Sequence, residues 1–397
     1  MNRTIIYCLA AVAVMGAACA AGSLFFRETP QPQTYTPHAT ISPGSGTLSA
    51  DNDDDAPITT PPTTVVFDTR AQQRMEAIAS DYRFEGVAIA VKDGKLISRY
   101  AAGVADYESY APITEDSLFC VGSLAKQFTA TCILMLEERG KLSVNDALGK
   151  YFPECPYGDD VTLRNLLTMR SGIAEFYETY NDGYNQNEIP AGTLAETVTN
   201  ENTAEDNRNQ LEQWLFAQPL VFEPGSQCVY TNSNYFLLAR LVERLSGRSY
   251  EDFVRANIFE PLGMTNSGFI DEMLDDPRLA KDAREAQTVY VGITMGLGDI
   301  ITNAEDMQKW LLSFSGNSLL SDDSKQKMSS DADNPGYGFG VIPTENGWSH
   351  NGVFTSYTAF DYVDPKAGSC VFAVTNNQAA LRGSISEMCL RMMTELL

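Results

Sequence analysis

Cys120 to Phe128 reads CVGSLAKQF: Ser123 follows a glycine, and Lys126 stands three residues beyond the serine. From Gln127 to Arg139 the chain is apolar on nearly every side until EERG, which predicts a helix buried in the middle of a domain. Ser123 then sits at the first turn of that helix, with Lys126 on the same face. Serine is a weak nucleophile and needs a base. Lysine serves only when neutral, and burial pushes its pKa in that direction. The helix N-terminus also offers N–H groups and positive potential for a developing oxyanion. The pattern S-x-x-K alone is weak evidence. It recurs as SKQK from Ser324, inside the charged stretch SDDSKQKMSSD, where nothing would desolvate the lysine.

Outward from this helix the chain changes period. GVAIAVKDGKLISRY, beginning at Gly86, alternates in the strand manner about Asp93-Gly94, a strong hairpin signal. Tyr235 to Leu245 is apolar at helical spacing, and Ser246-Gly247 stops it. Strands return with YGFGVI, WSHNGVF, TAFDYV and SCVFAVT, separated by turns at Glu345-Asn346-Gly347 and Asp364 to Gly368. Residues 381–397 predict a closing helix that packs Ile385, Met388, Leu390, Met392 and Met393. The fold class is α/β (α+β). One antiparallel sheet is built from both chain ends and flanked by helices, with a helical region inserted.

The 397 residues carry 28 basic and 52 acidic side chains, a net charge of -24. Such a surface repels phosphate backbones, so no nucleic-acid partner is expected. Only two histidines exist, His38 and His350, which rules out a histidine-rich metal site. A serine–histidine–acid triad would have to use His350. The eight cysteines contain no C-x-x-C pair, which argues against a zinc or thioredoxin-type site, and Cys132 and Cys389 read as core thiols. No metal or cofactor is expected.

Ile5 to Phe26 contains no charged residue, long enough to span a bilayer or to serve as an export signal. Residues 1–27 are therefore expected to be a signal-anchor. The alternatives are cleavage after Ala18-Cys19-Ala20, giving a secreted protein, and lipidation at Cys19. Each puts the remainder outside the cytoplasm. Residues 28–66 are rich in proline, threonine and aspartate without apolar periodicity, and predict a disordered linker. The folded domain is expected over 67–397.

Two further stretches give SLAK its context. Tyr230 begins Y-x-N, here YTN with Asn232, on a turn before a helix. WSHNGVF carries H-x-G from His350 to Gly352 on a late strand. S-x-x-K, Y-x-N and H-x-G in this order resemble the serine β-lactamase and penicillin-recognising enzyme superfamily, most closely its class C β-lactamase and DD-peptidase branch, which includes esterases. LLTMRSGI, FEPG, PLGM and GLGDIITNAEDMQKW add to the resemblance, which covers about residues 67–397.

The resemblance implies a β-lactamase/transpeptidase-like fold in which Ser123 is the acylated nucleophile. Lys126 and Tyr230 share the base role, and Asn232 binds the substrate amide and holds Lys126. The backbone N–H groups of Ser123 and Val353 form the oxyanion hole. Gly352 keeps a strand edge open for substrate, and His350 lines the far wall. It implies an exported serine hydrolase acting through an acyl-enzyme on an ester or amide, as a DD-carboxypeptidase, penicillin-binding-like protein or esterase. The alternatives are a β-lactamase and a binding or sensor module without turnover. The substrate would be a small molecule or a peptidoglycan peptide.

Departures from the family pattern bear on substrate. Many β-lactamases have lysine where this chain has His350, so a substrate carboxylate would be held less tightly. Phe354 and Ser356 stand where relatives often have glycine and are expected to reshape the cleft. Met169-Arg170 replaces the more usual histidine-threonine. In the polar stretch 174–210, Tyr177, Tyr180 and Tyr184 either contact substrate or belong to a surface loop.

Overall fold

GVAIAVKDGKLISRY folds as the hairpin its alternation predicts. Strands β1 (Gly86–Lys92) and β2 (Lys95–Ala102) are joined by Asp93 and Gly94, both in the left-handed region that a tight two-residue turn demands. The computed structural model describes residues 68–176, 194, 198–199, 201–281, 292–316, 319–329 and 336–397. The expected signal-anchor over 1–27, the linker over 28–66 and the tyrosines Tyr177, Tyr180 and Tyr184 fall outside the described residues.

The other edge of β1 pairs with the last strand of the chain. Strands β3 (Ile342–Pro343), β4 (Trp348–Phe354), β5 (Tyr357–Asp364) and β6 (Ser369–Thr375) complete a six-stranded antiparallel sheet ordered β2-β1-β6-β5-β4-β3. Val87 lies opposite Val374, so the first and last strands meet at the centre of the sheet. Side chains alternate between its faces. Ala88, Ala90, Phe360, Val371 and Ala373 pack under helices α1 (Thr69–Asp81) and α6 (Ile385–Leu396). Val87, Ile89, Val91, Ala359, Phe372 and Val374 belong to the larger core shared with the inserted helices. Asp68 caps α1, accepting from the N–H groups of Arg70 and Ala71, and Ser384 with Glu387 forms a capping box on α6. Each such cap is worth about 1 kcal/mol.

One expected strand is mostly absent. Within YGFGVI only Ile342 pairs with the sheet, in a short strand that runs on to Pro343. Before that, Phe339 N–H donates to Met328 O and Gly338 N–H to Val341 O, so the backbone spends its hydrogen bonds on a neighbouring helix and on itself. WSHNGVF is a strand as expected, and it continues past H-x-G to Phe354.

The inserted region contains α2 (Ala125–Glu138), α3 (Ala204–Ala217), α4 (Asn232–Ser246) and α5 (Ala304–Ser313). Every residue of α2 from Ala125 to Leu136 is buried, as its all-round apolar sequence predicts. Gly247 ends α4 in the left-handed region. A buried polar chain ties α2 to its surroundings. Trp310 Nε1–H of α5 donates to Gln127 Oε1 (3.1 Å), and Gln127 Nε2–H donates to Asp361 of β5 (2.7 Å). Asp361 also accepts from His350 N–H of β4 (2.9 Å). Phe128 stacks on Trp310 with ring centroids 3.9 Å apart. Helix α2 is thereby fixed in register against the strand that carries H-x-G. No helix among the described residues is long and apolar enough to cross a membrane.

Candidate active site

The chain enters α2 through a single 3-10 turn, Gly122–Leu124, which carries Ser123. Strand β4 runs against this turn, backbone to backbone. A Cβ on Gly352 would lie 2.0 Å from Val121 O, and one on Gly122 would lie 2.8 Å from Val353 O and 2.9 Å from Val353 N. Gly352 is therefore required for close approach of strand and turn, a different reason from the open edge expected of it. The approach sets the Val353 backbone beside the turn of Ser123, where an oxyanion hole would draw on both.

Lys126 has no exposed surface, yet its amine is fully engaged. Nζ lies 3.0 Å from Ser123 Oγ, 2.8 Å from Asn232 Oδ1 and 2.8 Å from the Leu297 carbonyl oxygen. Two of these partners accept only. A neutral amine would place its two hydrogens on Asn232 and Leu297, leaving its lone pair aimed at Ser123 Oγ, the arrangement a general base needs. Burial pulls the Lys126 pKa down to about 7, although the nearby Glu175 and then Asp299 act in the opposite sense. The second S-x-x-K lacks this setting: Lys327 is half exposed and pairs with Glu137 at 2.9 Å.

Tyr230 is half-buried against the core, with its hydroxyl close to Ser123 and its ring centroid 5.0 Å from Lys126 Nζ. Burial raises its pKa well above the ordinary phenol value, against the weaker lowering from Ser123. The phenol is thereby favoured over the phenolate, so Tyr230 could pass a proton, while Lys126, when neutral, could accept one. The turn before it is held by LLTMRSGI: Val229 N–H donates to Met169 O (2.9 Å).

His350 has no exposed surface. Its Nδ1 lies 2.6 Å from the Asn351 carbonyl oxygen and its Nε2 3.0 Å from the Tyr337 hydroxyl. A carbonyl only accepts, so Nδ1 carries the proton and Nε2 accepts from Tyr337. Burial, and then the nearby Lys126, pull the His350 pKa down to about 3. The imidazole is neutral and sits behind Tyr230, with ring centroids 6.5 Å apart. It backs the wall of the site rather than lining it. Phe354 and Ser356 are also buried, and Ser356 Oγ–H donates inward to Asn376 O (2.7 Å).

The structure thus brings Ser123, Lys126, Tyr230 and Asn232 into one cluster and sets Gly352 and Val353 against it. Sequence reasoning did not find Leu297, whose contribution is a carbonyl, nor Tyr337, which fixes the histidine tautomer. It also missed Asp299 and Glu175. Asp299 lies inside GLGDIITNAEDMQKW and Glu175 two residues beyond LLTMRSGI, but neither phrase shows that its carboxyl faces Lys126, which only the folding of distant segments brings about.

The sequence profile of the Beta-lactamase family matches residues 67–384. The chain belongs to the Beta-lactamase family. Within this family it is similar to PbpX of Bacillus subtilis, a protein named provisionally as penicillin-binding, with 29% identity over 314 residues, 77% of this chain and 74% of PbpX. It is 29% identical to the D-aminopeptidase of Brucella anthropi over 257 residues, 62% of this chain but only 45% of that enzyme. Among solved structures, the octameric penicillin-binding protein homologue from Pyrococcus abyssi matches with TM-score 0.65 and 26% identity, covering 82% of this chain and 77% of that one. The Beta-lactamase family assignment and these relatives make the protein a serine hydrolase of the β-lactamase and penicillin-binding-protein kind.

Proposed function

We propose that this protein is an exported acyl hydrolase that cleaves an ester or amide through an acyl-enzyme on Ser123. The observation that carries the reading is the Lys126 amine, buried and 3.0 Å from Ser123 Oγ. Lys126 takes the hydroxyl proton as Oγ attacks the carbonyl. The N–H groups of Ser123 and Val353 receive the oxyanion. The proton passes by way of Tyr230 to the departing alcohol or amine. Water then attacks the acyl-enzyme, gives its proton to Lys126 and releases the acid, and Ser123 recovers its hydrogen. Asn232 holds the amine and meets a substrate amide.

The neutral, internally bonded His350 offers no cation to a carboxylate. This favours substrates uncharged near the scissile bond, simple esters and amides, over penicillins. The relatives named as penicillin-binding proteins support a second reading, a DD-carboxypeptidase acting on D-alanyl peptides. Export rests on the uncharged run Ile5–Phe26, which would anchor the chain and leave the linker to hold the catalytic domain outside the membrane. The test is intact-mass analysis after incubation with a penicillin, together with an ester panel, for the protein and for Ser123→Ala. Ester turnover without a penicillin adduct is expected. A lasting penicillin adduct on Ser123 selects the DD-peptidase reading, and unchanged turnover in Ser123→Ala overturns both.

A further inference from the structure

Helix α4 begins at Asn232, and its N-cap residue, Thr231, makes no side-chain cap. The Thr231 hydroxyl is buried without a hydrogen-bond partner. The cap comes instead from a carboxylate far away in sequence. Glu175 accepts the Asn232 backbone N–H through Oε2 and the Asn232 Nδ2–H through Oε1 at 3.3 Å. The segment around it is fastened to the same helix turn. Ser233 Oγ–H donates to Ala174 O (2.6 Å) and accepts from Phe176 N–H (3.2 Å).

Two consequences reach the amine of Lys126. First, a carboxylate only accepts, so Glu175 holds the Nδ2 side of the Asn232 amide and turns Oδ1 toward Lys126 Nζ. Reversal of that amide would present N–H to N–H. Second, Glu175 brings a negative charge to the far side of Asn232. The other groups facing Lys126 are Ser123 on its own turn, Tyr230 and Tyr235 from the α4 side, Asp299 from the 292–299 segment and His350 from β4.

We propose that Glu175 is a positioning residue of the site, which caps α4, orients the Asn232 amide and supplies a counter-charge to the Lys126 ammonium. This rests on the acyl-enzyme reading above. Glu175 touches no reacting atom; it acts through Asn232 and by its charge. Its charge favours the ammonium, which holds the base in reserve at low pH and releases it near neutrality.

The experiment is the pH dependence, over pH 5 to 9, of Ser123 labelling by an alkyl fluorophosphonate. In this reaction Oγ displaces fluoride from phosphorus and its proton goes to Lys126. The wild type, Glu175→Gln, Glu175→Asp and Ser123→Ala are compared as full chains. Glu175→Gln keeps an acceptor for the helix but removes the charge. Its acid limb should move down by about half a pH unit or more. Glu175→Asp keeps the charge with a shorter reach, so its limb should stay at the wild-type position while the rate falls. If both variants keep the wild-type limb, whatever their rate or melting temperature, Glu175 is a cap and no more, and the inference is overturned. If both move alike, charge is not the cause, and it is equally overturned. A wild type unlabelled at Ser123 overturns the acyl-enzyme reading and this inference with it.

Discussion

Burial divides the labour between two groups that look interchangeable in sequence. The same low-dielectric setting pulls Lys126 down to about 7 and raises Tyr230, so one becomes a usable base and the other stays a proton-bearing phenol. Lysine must lose its proton to act, so kcat/KM for an ester should rise with pH along an acid limb centred close to pH 7. Lys126→Arg should remove the limb and lower the rate by about 100-fold or more, because guanidinium does not deprotonate. A pH–rate profile of the two proteins checks this, and a limb surviving in Lys126→Arg would show that another group is the base. Ser123 and Lys126 were legible as a chemically sensible pair from residue type and spacing, while Tyr230 and Asn232 were legible only through the order of motifs that carries the family resemblance. Glu175 and the Leu297 carbonyl were not, because each gains its meaning only when a distant loop is laid against Lys126.

At the level of elements, the site is an encounter between a strand and a turn. Neither β4 nor the Gly122–Leu124 turn is unusual alone; what matters is that glycines at both faces let the backbones touch. Gly352→Ala would bring a Cβ to 2.0 Å from Val121 O, so strand and turn must part. A shift of about 1 Å between nucleophile and oxyanion donors costs about 100-fold in rate. We expect that loss in ester turnover while thermal unfolding stays cooperative, and unaltered kcat/KM would show that the approach is not needed. The hairpin about Asp93-Gly94 and the buried helix were readable from period and turn chemistry alone. YGFGVI was not, since its apolar and aromatic residues suit a strand while its backbone is claimed by Met328 and Val341. Periodicity reports which residues are buried, and says less about where the hydrogen bonds go.

For the molecule as a whole, the decisive arrangement is the closure of the sheet by both chain ends. Strand β6 stands between β1 and β5, so a chain lacking Ser369–Leu397 loses the centre of its sheet along with α6. Such a chain should show no cooperative melt by circular dichroism and no labelling at Ser123. A truncated chain that melts cooperatively would show that the remaining strands suffice. The overall layout was legible because strands cluster at the two ends of the sequence and helices between them. The pairing of Val87 with Val374 also has a kinetic meaning. Contacts between residues so far apart cannot form until Val374 itself has been made, and closing so large a loop is slow. Until then β1 would lack its central partner, and the domain would stay open while the chain grows. Its nucleophile would gain its oxyanion partner on β4 only after the last strand emerges and locks the sheet.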